Sequence, residues 1–133
     1  MIFVLDASAM IAFLDDEDGA AIVEASMLEE GAKVYAHAVN VAEVFYRYHR
    51  RSEAEAQLAL TQLEDAGVSI VDDLTPALWQ SAARLKSRFV RVSVADCFGM
   101  ATALQLGADF LTSDHHELEA VEASGAVQIT FIR

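Results

Sequence analysis

The feature that most constrains the fold is a set of short apolar runs, each followed by a helical pattern. Residues 2–5, 33–37, 68–71, 108–112 and 127–131 read as strands: they are short, rich in Val, Ile, Phe and Tyr, and bounded by cap or turn residues. Their apolar residues are consecutive rather than alternating, which marks strands covered on both faces. The intervening stretches read as helices. Residues 7–14 form the first. The second opens at Asp18 or Gly19 and stops at Gly31, and the third is capped by Asn40, with Val41, Val44, Phe45 and Tyr48 on one face. A fourth runs from Ser52 to Gly67, a fifth opens at Thr75-Pro76, a sixth runs from Ser93 to Gly107, and the last is capped by Asp114 and ends near Gly125. Strands alternating with helices imply an α/β fold around a mostly parallel sheet. A length of 133 residues suits a single domain, 1–133. Such sheets bind ligands at the carboxyl ends of their strands, so acids placed there are the first candidates for function.

Composition removes several other classes. With 54% apolar and 23% charged residues, the chain is expected to fold rather than behave as a disordered tail. No apolar run approaches the roughly 18 residues of a membrane span, and the first strand meets Asp6 without a basic region before it, unlike a signal peptide. Cys97 is the single cysteine and forms no internal disulfide, which suits a reducing cytoplasmic location. A net charge of −12 argues against a surface that coats nucleic acid. A nucleic-acid substrate stays open where metal ions and local basic patches offset that charge. Two such patches exist, Arg47, Arg50 and Arg51 in one and Arg84, Lys86, Arg88 and Arg91 in the other. Each reads either as a solvated helix face or as a phosphate contact. Arg47, four residues after Glu43, also suits an i,i+4 ion pair.

Four acids fall at strand ends or first helical turns: Asp6, Glu43, Asp96 and Asp114. Helix capping accounts for each one singly. Asn40-Val-Ala-Glu43 and Asp114-His-His-Glu117 are capping-box patterns, Ser93-Val-Ala-Asp96 is a looser one, and Asp6 suits the cap of the next helix. Capping does not require apolar surroundings, however, and Asp96 is the only charged residue between Arg91 and Asp109. A lone buried carboxylate costs several kcal/mol unless paired. Carboxylates converging at one sheet edge repel each other, and one or two divalent cations would relieve that repulsion. Oxygen ligands with open water positions suit Mg²⁺ or Mn²⁺.

Taken together, Val4-Leu5-Asp6-Ala7-Ser8, Asn40-Val-Ala-Glu43, Ser93-Val-Ala-Asp96 and Leu111-Thr-Ser-Asp114 resemble, in order, the four motifs of PIN-domain ribonucleases and, at this length, of VapC-type toxins. The resemblance spans essentially the whole chain. It implies a PIN-like three-layer α/β/α sandwich with a sheet of about five strands. It also implies an endoribonuclease dependent on Mg²⁺ or Mn²⁺, acting as the toxin of a toxin–antitoxin pair. The acidic set it implies is Asp6, Glu43, Asp96 and Asp114, with Asp6 and Asp96 as direct metal ligands and Glu43 and Asp114 direct or through water. Ser8 would be a supporting hydroxyl. Glu117 takes second rank, with capping as its simpler job. Relatives often carry Arg or Lys where this chain has His115. Implied RNA contacts are Arg47, Arg50, Arg84 and Arg88, and the implied partners are an antitoxin protein and a second copy of the chain. The acidic net charge would favour a basic partner segment.

The alternatives are a receiver-like signalling domain, a haloacid-type phosphatase and a catalytically inactive PIN-like binding module. A receiver would want a second acid beside Asp6 and a late lysine, yet the only lysines are Lys33 and Lys86. The phosphatase would want Asp-x-Asp where this chain has Asp6-Ala-Ser8. His115-His116 does not make a zinc site, since neighbours on a helix face different sides. Cys97 reads as a small core residue, and Trp79 as a packing or interface residue.

Overall fold

The computed structural model describes residues 1–133. Its elements run β1 (Ile2–Leu5), α1 (Ala7–Leu14), α2 (Ala20–Leu28), β2 (Lys33–His37), α3 (Ala38–His49), α4 (Glu53–Asp65), β3 (Val68–Val71), α5 (Pro76–Arg88), α6 (Val94–Leu106), β4 (Asp109–Thr112), α7 (His115–Ser124) and β5 (Ile129–Phe131). The strands form one sheet in the order β3-β2-β1-β4-β5, and every pairing is parallel. Receiver domains have the order 2-1-3-4-5, so that alternative is set aside.

Consecutive apolar residues in the strands serve two separate cores. Along β1, Phe3 and Leu5 turn to one face and join Met10, Val23, Val44 and Leu63 from α1 to α4. Val4, between them, turns to the other face with Phe110 and meets Leu85, Met100 and Leu118 from α5 to α7. Helices therefore cover both sides, giving the three-layer sandwich. The two edge strands depart from the fully buried reading. Ser69 and Ile70 of β3 are exposed, and β5 is only half-buried. A sheet edge has a neighbour on one side only, so less of it is covered.

Two strand starts and one helix start also move. Residue 108 does not enter β4, because its N–H closes the end of α6 by donating to the Ala103 carbonyl at 2.9 Å. This is a Schellman-type stop around Gly107, whose φ is +64°. The last strand begins at Ile129 rather than 127. The third helix begins at Ala38, with His37 as its cap: the imidazole Nδ1 accepts from the Val39 N–H at 3.1 Å. Asn40 therefore lies inside the helix, and the capping box expected of Asn40 and Glu43 is not formed.

The tightest crossing lies where α6 passes over β4 and α3. A Cβ added to Gly99 would stand 2.7 Å from Asn40 Oδ1 and 2.7 Å from Phe110 Cε1, and both neighbours are fully buried. Overpacking of this kind costs about 1–3 kcal/mol, more than the 0.5–1 kcal/mol alanine gains over glycine in a helix. Gly99→Ala is therefore expected to lower stability in urea denaturation.

Candidate metal centre

The strand order reverses between β1 and β4, and the chain turns away from the sheet on both sides of that crevice. Ligands bind at such switch points in open α/β sheets. Asp6 follows β1 directly and Asp114 follows β4 by two residues. Three helices start here, and an acid stands in or beside the first turn of each. Asp6 caps α1, its Oδ1 accepting from the Ala9 N–H at 2.8 Å. Asp114 caps α7, its Oδ1 accepting from the Glu117 N–H at 3.0 Å. Ser93 caps α6 by accepting from the Asp96 N–H at 3.1 Å, which leaves the Asp96 carboxylate free to face the crevice acids.

Asp6 is 2% exposed and heavily supported. The Ser8 hydroxyl donates to its Oδ1 at 2.6 Å and the Thr112 hydroxyl to its Oδ2 at 2.5 Å. Both hydroxyls also accept a bond from the loop after β4: Ser8 Oγ from the Ser113 N–H at 2.9 Å and Thr112 Oγ1 from the Asp114 N–H at 3.0 Å. Thr112 thus ties Asp6 to Asp114. Its position in the fourth motif was visible in the sequence, but its contact with a residue 106 positions away was not.

Asp96, 8% exposed, is different: neither of its carboxylate oxygens accepts a protein hydrogen bond. Ligand oxygens of Asp96, Asp114 and Glu117 lie within 4.8 Å of one another. Burial, and then the charges of Asp6, Glu43, Asp114 and Glu117, push the Asp96 carboxyl from 3.8 up to about 8. Burial also raises Asp6, to about 6, against the lowering effect of Ser8, Thr112 and the Ala9 N–H. Glu43 is raised by burial first and by Glu117 as well, with the Asn40 amide pulling the other way. Each helix N-terminus favours a carboxylate by only ~0.3–1 kcal/mol, whereas one pKa unit corresponds to about 1.36 kcal/mol. Desolvation and mutual repulsion therefore win at Asp96.

All four acids of the sequence motifs share this field, and the compact trio also includes Glu117. The reciprocal half of its capping box is absent, since the Asp114 N–H goes to Thr112. The Glu117 side chain instead reaches the start of α6, where Oε2 accepts from the Ser93 N–H at 3.3 Å. Asn40 braces the opposite wall: fully buried, it donates from Nδ2 to the Ala95 carbonyl at 3.1 Å, linking the helix that carries Glu43 to the one that carries Asp96. Its Oδ1 has no partner.

The arginines are more scattered. Arg47 pairs with Asp15 at 3.8 Å rather than with Glu43, so the intrahelical pair is not formed. Arg50 is exposed at the end of α3, and Arg84 reaches Gln80 at 3.3 Å. Arg88 lies over the Phe89 ring at 5.0 Å. His115 stacks on Phe131 with ring centroids 4.0 Å apart and is tied to Glu119.

An all-oxygen donor set, with a buried carboxylate lacking a protein donor and held among like charges, fits a hard divalent cation. Asp96, Asp114 and Glu117 are placed to hold it, with Asp6 and Glu43 beside them.

A family model described as PIN domain matches residues 3–123. No curated protein matches the sequence. Among solved structures, VapBC2 from Rickettsia felis, bound to a DNA fragment from their promoter, is similar at 12% identity over 98% of each chain, with a TM-score of 0.79. Mycobacterium tuberculosis VapC20, described as a sarcin–ricin loop cleaving toxin, is 18% identical over 90% of this chain and 95% of that one, with a TM-score of 0.69. VapBC-5 from the same organism is 24% identical over 99% of this chain and 98% of that one, with a TM-score of 0.62. At these identities the likeness shows a shared fold.

Proposed function

The chain belongs to the PIN-domain family, and on that premise we propose that it is a Mg²⁺- or Mn²⁺-dependent endoribonuclease, the toxin of a type II toxin–antitoxin pair. The observation that carries this reading is the convergence of five carboxylates on one crevice, with Asp96 forced up to about 8. A fold needing acids only as caps has no reason to bury one without a donor among four others.

A divalent cation bound there supplies Lewis acidity and a lowered water pKa, which phosphodiester hydrolysis needs at neutral pH. The residues of the chain do the rest. Asp96, Asp114 and Glu117 would hold the cation, with Asp6 and Glu43 completing the negative cage around it. Ser8 and Thr112 orient Asp6, and Asn40 fixes the spacing between α3 and α6. The apolar body of α6 anchors Asp96 rigidly against the sheet.

A toxin role implies a protein partner. Solved relatives in toxin–antitoxin complexes support an antitoxin as that partner, and a net charge of −12 favours a basic segment on it. A homodimer is part of the same proposal. No helix is long and apolar enough to cross a membrane, in keeping with a cytoplasmic setting. The direct test is incubation of the purified chain with mixed RNA. Internal cleavage in Mn²⁺ that stops in EDTA is the expected result, and cleavage insensitive to EDTA contradicts the reading.

A further inference from the structure

Glu117 also borders a second feature. The connection between α5 and α6 and the first turns of α7 enclose a groove of about 280 Å³ lined by Arg88, Phe89, Val90, Arg91, His116 and Glu117. Glu117 belongs to the carboxylate trio as well, so the groove borders the acidic crevice. Its wall is built rather than loose: Lys86 Nζ donates to the Val90 and Val92 carbonyls at 2.7 Å each, and the Val92 side chain is buried below. Arg88 and Arg91 are exposed and make no ion pair. Arg50 and Arg84 also lack a carboxylate partner, while Arg47, Arg51 and Arg133 each have one; what sets Arg88 and Arg91 apart is that they line a groove bordered by a member of the carboxylate trio. Beside these two guanidiniums, of which Arg88 lies over one face of the Phe89 ring, Val90 is 71% exposed and Phe89 is half-buried.

We infer that this groove binds a nucleotide of single-stranded RNA next to the bond that is cut, with its phosphate on Arg88 and Arg91 and its base against Phe89 and Val90. The inference rests on the ribonuclease reading. Its physical ground is that a polyanion approaching five carboxylates meets repulsion, and this groove offers unpaired cations at the edge of that field. Guanidinium groups match phosphate oxygens, and an aromatic or aliphatic surface takes a base of any sequence. Two exposed guanidiniums beside an exposed apolar surface suit a phosphate and a base together, which favours a nucleotide over a protein segment as the occupant.

The test uses a fluorescently labelled eight-nucleotide RNA of mixed sequence and anisotropy titrations at low salt in EDTA, where binding is read without cleavage. Arg88→Ala and Arg91→Ala are each expected to weaken binding about tenfold and to lower the slope of log affinity against log salt by about 0.7. Arg88→Lys is expected to retain the slope. Unchanged melting temperatures confirm that these surface variants fold. Affinity and slope unchanged in the double alanine variant would overturn the inference and leave the groove to a protein segment. Failure of the ribonuclease reading is separate: the intact chain would leave the same RNA uncut in Mn²⁺, whatever the arginine variants do.

Discussion

Asp96→Asn is expected to abolish RNA cleavage, by about 10³-fold or more, while the chain stays folded and melts at a higher temperature in EDTA. The two effects have one cause. The carboxylate is buried, takes no protein hydrogen bond, and lies in the field of Asp6, Glu43, Asp114 and Glu117. Removing its charge removes both a cation ligand and the repulsion that the cation offsets. Asp6→Asn is expected to abolish cleavage equally but without the same gain in stability, because the Asp6 oxygens accept from Ser8, Ala9 and Thr112. Cleavage rates and melting curves in EDTA for the two variants check this. Wild-type cleavage by Asp96→Asn would refute the role assigned to it.

The second large effect is an inverted pH dependence of stability without metal. Most paired carboxylates are depressed in the folded state and stabilise a protein as pH rises. Here the folded chain holds Asp6 at about 6 and Asp96 at about 8, against 3.8 for the unpaired group. Between about pH 4 and 8 the folded chain keeps protons that the unfolded chain releases, so stability is lost as pH rises through that window. In EDTA the melting temperature is expected to fall by several degrees from pH 5 to pH 8. Mn²⁺ should restore it at pH 8 and change little at pH 5, where protons occupy the same carboxylates. Asp96→Asn should flatten the EDTA profile. A melting temperature that rises with pH in EDTA would contradict the electrostatics of the crevice.

Much of this architecture is legible in one sequence, because the signals that set it are local. Consecutive apolar runs mark covered strands, Ser52, Ser93 and Asp114 cap the helices they precede, and Gly107 and Gly125 stop them in left-handed conformations. What local pattern misreads is the partner of a side chain. Asn40-x-x-Glu43 has the look of a capping box, yet β2 runs into α3 without a loop and His37 takes the cap. Asn40 then serves Ala95, 55 residues away. Asp114-x-x-Glu117 forms half its box, and the Glu117 carboxylate goes to Ser93 across the crevice. Arg47 finds Asp15 on the neighbouring helix instead of Glu43 one turn back. In each case the deciding contact joins segments that only the sheet order brings together. Burial shows the same limit: Asp96 was marked by its apolar neighbours, but the four acids raising its pKa come from three other elements or their caps.

The most direct test of the shared-cation account is anomalous diffraction from crystals grown in Mn²⁺. The account predicts one or more strong peaks among the carboxylates of Asp96, Asp114 and Glu117, with Asp6 and Glu43 bordering them. Crystals in saturating Mn²⁺ with no peak in that crevice would contradict it.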